Sequence, residues 1–259
     1  MLALIAGRGA LPEAVLAARG QALVCALEHC PPDRLSVDYT FRLETLGTLL
    51  RWLRAEGVRE VCLCGSITRP SLDWRKVDWR TWPLVPRVLR ALGRGDDGAL
   101  RIVIRIFEGA GFTVLAAHEA APELLPGEGV WGRLLADVSL EAAIGDRVSA
   151  QQAVNDLGQA CVLRRSEVVA REDDMGTDAM LARLTNGEGG VLYKAPKPGQ
   201  DRRADLPVIG PDTVSGAAKV GLLGIIIEYQ GVMVLDQPRV RRLIEAEGMF
   251  LWIRERGAS

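Results

Sequence analysis

Histidine is almost missing from this chain: its 259 residues contain two, His29 and His118. That excludes a His-rich metal site and leaves little for a histidine-based catalytic triad. Aromatic residues are also few, at 5%, so the core must be aliphatic and alanine-rich, as in many soluble α/β enzymes. No run approaches the ~20 uninterrupted apolar residues of a membrane span. Met1 to Ala6 is apolar but short, and no basic segment precedes it, so it does not read as a signal peptide. The five cysteines form no C-x-x-C pair. Cys25 and Cys62 fall in apolar runs and are expected to be buried free thiols in a reducing, cytoplasmic setting. Neither sign of charge is in excess: 32 Lys+Arg against 33 Asp+Glu leave a net charge of −1. That speaks against a surface devoted to nucleic acid.

What is present is 48% hydrophobic content, enough for one large or two small cores. Short aliphatic runs at Leu2 to Ala6, Ala22 to Leu27 and Val58 to Cys64 read as strands, the first and third closed by glycine. Between them lie helical patterns: Pro12 to Arg19, then Leu46, Leu49, Leu50 and Leu53 behind a capping Thr45. A further helix carries Leu100, Val103, Ile104 and Phe107 behind Asp96 or Asp97, and Phe112 to Ala117 reads as a strand. This alternation implies parallel βαβ units in an open sheet. Pro122 to Gly129, with two prolines and two glycines, is the best linker. Beyond it the pattern predicts helices at 139–157, 177–184, from 213, and at 238–247. Strands are expected at 160–164, 167–171, 191–194, 225–228, 232–235 and 249–253. The expected fold is therefore α/β in two domains. Residues 1–130 would form an N-terminal domain with an open, mostly parallel, Rossmann-like sheet, and residues 131–259 a mixed α/β C-terminal domain.

Several segments could carry chemistry. Gly7-Arg8-Gly9-Ala10-Leu11-Pro12 joins a strand to a helix, where backbone N–H groups can meet a phosphate; an ordinary tight turn is the alternative. A dinucleotide fingerprint fails, because its third glycine would fall at Pro12. That counts against an NAD-type oxidoreductase. Ser66-Ile67-Thr68-Arg69 follows another strand, at the edge where open sheets bind ligands. Trp74, Trp79 and Trp82 crowd together with Arg75, Lys76 and Arg80. A loop packed down by its tryptophans is the expectation, with base stacking or a membrane surface as alternatives.

The densest region is later. Arg171 to Asp178 packs four acids, Glu172, Asp173, Asp174 and Asp178, at a helix start. Lys194 and Lys197 follow on a proline-stiffened stretch, with Arg202 and Arg203 beyond. Such a pairing suits a polyphosphate with a divalent cation, and oxygen-only ligands suit Mg²⁺. A solvated, salt-bridged loop is the bland alternative.

The same residues resemble a family. Gly176-Thr177-Asp178-Ala179-Met180-Leu181, Lys194-Ala195-Pro196-Lys197-Pro198 and Asp205-Leu206-Pro207-Val208-Ile209-Gly210 are similar to the signature blocks of the LpxI-type UDP-2,3-diacylglucosamine pyrophosphatases. Gly9-Ala10-Leu11-Pro12, Arg69-Pro70, Gly95-Asp96-Asp97, Ala117-His118-Glu119 and Gly158-Gln159-Ala160 complete an ordered series along nearly the whole chain. It departs at Arg8, where a glycine-only turn is usual, at Ser66, where asparagine is usual, and at Met175, where an acid is usual. The resemblance implies an enzyme of lipid A biosynthesis that requires Mg²⁺ and binds its lipid nucleotide between the two domains. The products would be UMP and 2,3-diacylglucosamine 1-phosphate (lipid X). It implies Asp205, Asp178 and Lys194 as catalytic residues, and Asp205, Asp178 and Asp174 as metal ligands. Substrate contacts would come from Gly9, Ala10, Leu11, Thr68, Arg69, Asp97, Thr177, Lys197 and Arg203. The expected partner is the lipid-linked nucleotide, with transient contact to the inner face of the membrane and no nucleic acid; a homodimer stays open. So does a non-catalytic binding relative.

Overall fold

A computed structural model describes residues 1–68, 72–93, 96–134, 137–154, 158–185, 187–199, 201–203 and 206–257, without the side chains of Asp96 and Asp97. The chain divides into two units. Unit one is Met1–Pro122 with Asp201–Asp205; unit two is Glu123–Gln200 with Leu206–Ser259.

Unit one runs β1 (Leu2–Ala6), α1 (Leu11–Arg19), β2 (Leu23–Leu27), β3 (Tyr39–Phe41), α2 (Leu46–Ala55), β4 (Glu60–Cys64), α3 (Val85–Leu92), α4 (Asp96–Gly109), β5 (Thr113–Leu115) and α5 (Ala117–Ala120). Its described strands pair in the order β3-β2-β1-β4-β5, all parallel. The order reverses direction at β1, which places a switch point between β1 and β4. Ala3, Cys25, Leu49, Leu53, Val61, Ile104 and Phe107 lie in one aliphatic core. Parallel strands with both faces covered read as near-continuous apolar runs, which is why β1, β2 and β4 were legible.

Two local readings change. Thr45 precedes α2 but caps nothing: its hydroxyl donates to the Arg42 carbonyl and accepts from the Arg42 amide. The strand expected through Ala117 stops at Leu115, because the Glu119 carboxylate accepts the Ala116 N–H at 2.7 Å and opens α5.

Unit two runs β6 (Gly129–Gly132), α6 (Ser139–Val154), β7 (Ala160–Arg164), β8 (Glu167–Arg171), α7 (Gly176–Arg183), β9 (Val191–Lys194), β10 (Val208–Ile209), α8 (Pro211–Lys219), β11 (Gly224–Glu228), β12 (Met233–Val234), α9 (Gln237–Ala246) and β13 (Phe250–Arg254). The main sheet is mixed, in the order β6-β13-β11-β9-β7-β8. β9, β11 and β13 are parallel, while β6, β7 and β8 join antiparallel. Its centre is apolar on both faces: Ile225 and Ile227 enter one core and Ile226 the other. β6 escapes a sequence reading because it is a four-residue edge strand with glycine at each end.

A buried ionic group ties this sheet to α6. Arg254, 3% exposed, meets both oxygens of Asp146, at 3.1 and 3.2 Å. Tyr193 Oη donates to Asp146 Oδ1 at 2.5 Å, and the Gly257 amide donates to Oδ2 at 2.9 Å. Burial works against the Asp146 carboxylate, but these donors and the Arg254 charge hold its pKa below the ordinary value. All five cysteines are buried and free, and burial, with the charge of Asp38, pushes Cys25 up to about 12. These thiols are inert filling. Among the described residues no helix is long and apolar enough to cross a membrane.

Candidate active site

In unit one the sequence candidates collect at the carboxyl edge of the sheet. The exits of β1 and β4 are clamped together: Arg8 N–H donates to Ser66 O at 2.8 Å, and Ser66 N–H to Arg8 O at 3.0 Å. A side chain at Gly7 would strike the Ser66 carbonyl. Gly65 sits at φ +87°, in the region that favours glycine. Arg8 and Ser66, two of the departures from the family pattern, thus face each other through backbone, which is indifferent to side-chain identity. Gly9 N–H donates to Asp33 Oδ2 at 2.8 Å, and His29 Nε2 lies 3.1 Å from the Thr68 carbonyl. Gly9, Ala10, Leu11 and Thr68 are brought to this edge as expected. The first turn of α1 has no side-chain cap, the kind of helix start whose free amides can meet an anion. Asp33 and His29 were not foreseen; Pro31-Pro32-Asp33, a stiffened turn at a strand exit, was the available signal. Arg69 lies outside the described residues, as does the side chain of Asp97, which belongs to the first turn of α4.

In unit two the feature that stands out is a buried charge at a strand end. Lys194 closes β9 at 7% exposure. Its Nζ donates to Thr177 Oγ1 at 2.7 Å and to the Val208 carbonyl at 3.0 Å. Thr177, buried at the start of α7, donates in turn to Glu172 Oε1 at 2.8 Å. Glu172 is anchored by the Gln159 N–H on Oε2 at 2.7 Å. A Cβ at Gly158 would lie 2.6 Å from the Glu172 Cβ, so the Gly158-Gln159-Ala160 block makes room for this carboxylate and holds it. Ammonium, hydroxyl and carboxylate form one satisfied chain at the carboxyl end of a central strand, where α/β sheets hold ligands. Thr177 spends its proton on Glu172 in this state, and Glu172 is the member whose role sequence reasoning missed.

The other acids and bases of this region divide. Asp173 pairs with Arg183 at 2.7 Å, and that guanidinium, with the Met175 amide, holds its pKa low. Asp174 and Asp178 are exposed at either side of the α7 start, and among the described residues no ion pair engages them. Arg203, of unit one, is held by Asp201 at 2.9 Å and Glu108 at 2.7 Å, contacts that raise its pKa. Lys197 is half-buried beyond β9. Among the described residues of unit two, Lys194 is the base bonded at the α7 start. His118 sits on α5, half-buried, and its Nδ1 finds no hydrogen-bond partner among the described residues. Burial and the Arg202 charge hold its pKa below the ordinary value, so the ring is neutral near pH 7.

Asp205 lies outside the described residues. Among the described residues no three His, Cys, Asp or Glu side chains converge as a ready-made metal cage. Asp174 and Asp178 offer a hard-oxygen donor set of the kind Mg²⁺ uses when substrate phosphates and water complete its shell.

Comparison with known proteins agrees along the whole chain. The LpxI N-terminal domain model matches residues 1–124, and the LpxI C-terminal domain model matches residues 128–252. The UDP-2,3-diacylglucosamine pyrophosphatase LpxI of Caulobacter vibrioides is 33% identical over 274 aligned residues, covering 96% of each chain.

Proposed function

This chain belongs to the LpxI family, and from that premise we propose that it hydrolyses the pyrophosphate bond of UDP-2,3-diacylglucosamine. The products are UMP and 2,3-diacylglucosamine 1-phosphate (lipid X). The observation that carries this reading is the Lys194–Thr177–Glu172 chain, whose Lys194 and Thr177 fall within the blocks that resemble the family and which puts a fixed ammonium at a strand end. Water adds to the uridine-side phosphorus, the bridging P–O bond breaks, and the lipid phosphate leaves. Mg²⁺, when bound with the substrate, supplies neutralisation of the phosphate oxygens. Asp174, Asp178 and Asp205 are the residues that would hold it.

The remaining work belongs to this chain's own groups. Lys194, pre-oriented by Thr177 and Val208, stabilises negative charge that develops on the diphosphate without reorganising during the reaction. Asp205 orients the water. Lys197 draws in the diphosphate, and the amides of Ala10 and Leu11 take a second anionic or polar part of the substrate. No step needs a histidine. The substrate's acyl chains place the encounter at the bilayer surface facing the cytoplasm. Release of UMP from UDP-2,3-diacylglucosamine with Mg²⁺, abolished by chelation and by Asp205→Ala, is the test. No UMP, or full activity in the variant, overturns the reading.

A further inference from the structure

The tryptophan segment of unit one was expected to pack itself down, and it does not. Trp74, Trp79 and Trp82 are 57%, 71% and 52% exposed, three of the chain's six tryptophans within nine residues. The backbone beneath them is fixed. Glu44, itself buried, accepts the Asp73 N–H at 2.8 Å, and its carbonyl accepts the Asp78 N–H at 3.0 Å. Thr81, fully buried, accepts the Gly47 N–H at 2.8 Å. At Gly47 even a methyl would collide with the Arg80 carbonyl. A segment pinned this closely, in two short helical turns, holds its aromatic rings toward solvent rather than letting them collapse.

Charge accompanies the rings. Between Leu72 and Gly93 there are five bases, Arg75, Lys76, Arg80, Arg87 and Arg90, against two acids. Both acids are occupied internally: Asp78 by the Thr48 hydroxyl and Thr81, and Asp73 by the Arg75 amide at 3.1 Å and Lys76 at 3.6 Å. α3 continues the pattern, burying Val85, Val88 and Ala91 while Arg87, Leu89 and Arg90 stay outside. The segment follows β4 and packs on the turn that enters α2, so it lies at the same carboxyl edge as the Gly9 and Thr68 turns. Indole rings prefer the lipid–water boundary, and flanking Lys and Arg add attraction to anionic headgroups. A single-stranded nucleic acid would need open ring faces; one face of Trp79 is covered by the Arg80 guanidinium, 4.2 Å from the ring centroid.

We propose that Trp74, Trp79 and Trp82, with Arg75, Lys76, Arg80 and the outer face of α3, form a docking surface for anionic lipid bilayers. The inference does not depend on the hydrolase reading, because binding is measured without substrate. The experiment is flotation of the full chain with phosphatidylcholine vesicles, with and without roughly a quarter phosphatidylglycerol. Wild type should float with the anionic vesicles and lose binding as salt rises. The W74A/W79A/W82A variant should lose at least about tenfold in partitioning. R75A/K76A should lose about fivefold per base, on anionic vesicles only. Unchanged thermal unfolding in both variants shows that the fold is intact. Wild type that fails to float, or a triple variant that floats as well as wild type, overturns the proposal. So does a tryptophan-dependent change in molecular mass, which would make this an interface between copies, or tryptophan-dependent binding of polyuridylate without vesicle binding.

Discussion

The two units share an α/β construction but bury different things. Among the described residues unit one buries only Glu44 and Thr81 as polar side chains, and both hold the tryptophan segment in place. Unit two buries Arg254, Lys194, Thr177, Gln152, Ser149 and Thr213. Its ionic group around Asp146 locks α6 to the sheet, while Lys194 faces the α7 start. Unit one therefore shapes its edge with backbone, through glycine exits and an uncapped helix turn, and unit two with fixed charge. Backbone amides and exposed rings recognise; charges held in a low-dielectric setting stabilise a changing charge distribution. Under the proposed function, unit one would recognise the substrate and unit two would carry the chemistry.

The contrast can be broken most forcibly at Asp146. Asp146→Ala removes the carboxylate that meets the buried Arg254 guanidinium and should cost about 3–5 kcal/mol, read by urea unfolding; a cost under about 1 kcal/mol, as for surface pairs, would remove the ionic lock. Two smaller effects, each about 1–3 kcal/mol, act on the opposite devices. Thr177→Val deprives the Lys194 ammonium and Glu172 of their shared hydroxyl. Gly7→Ala forces apart the clamped exits of β1 and β4. The account expects Thr177→Val to lower turnover at saturating substrate and Gly7→Ala chiefly to raise KM. A reversed split would contradict the division of labour.

The smallest effect is a pH dependence. Asp146 has a folded-state pKa below its unfolded value, so its contribution is complete above about pH 4–5 and fades as pH falls through the depressed value. Wild type should lose stability across that acid range more steeply than Asp146→Asn. Asp78 in unit one is also held low, by Thr48 and Thr81, but is less buried, so Asp78→Asn should flatten the curve less.

Much of this was legible from residues alone. β1, β2 and β4 announced themselves because parallel strands covered on both faces read as aliphatic runs, and α1, α2, α4 and the helices of unit two because their periodicity was intact, whereas α3 went unread. Gly7 and Gly9 marked the β1 exit, and Lys194 was visible at its strand end. Less was legible where tertiary partners decide. Nothing local distinguishes Glu172, which holds Thr177, from Asp173, which pairs with Arg183. Glu119 turned a strand end into α5 by capturing one amide. The tryptophans were misjudged because exposure depends on how Gly47 and Glu44 pin the backbone, contacts about thirty residues away in sequence.

Central to the account is that the ammonium buried at the end of β9 stabilises the reacting diphosphate. The direct measurement is UMP release from UDP-2,3-diacylglucosamine by Lys194→Met, set beside wild type under conditions where both are folded. The predicted result is a fall of about 10²–10³-fold in kcat with KM little changed. Turnover within a few-fold of wild type would contradict it.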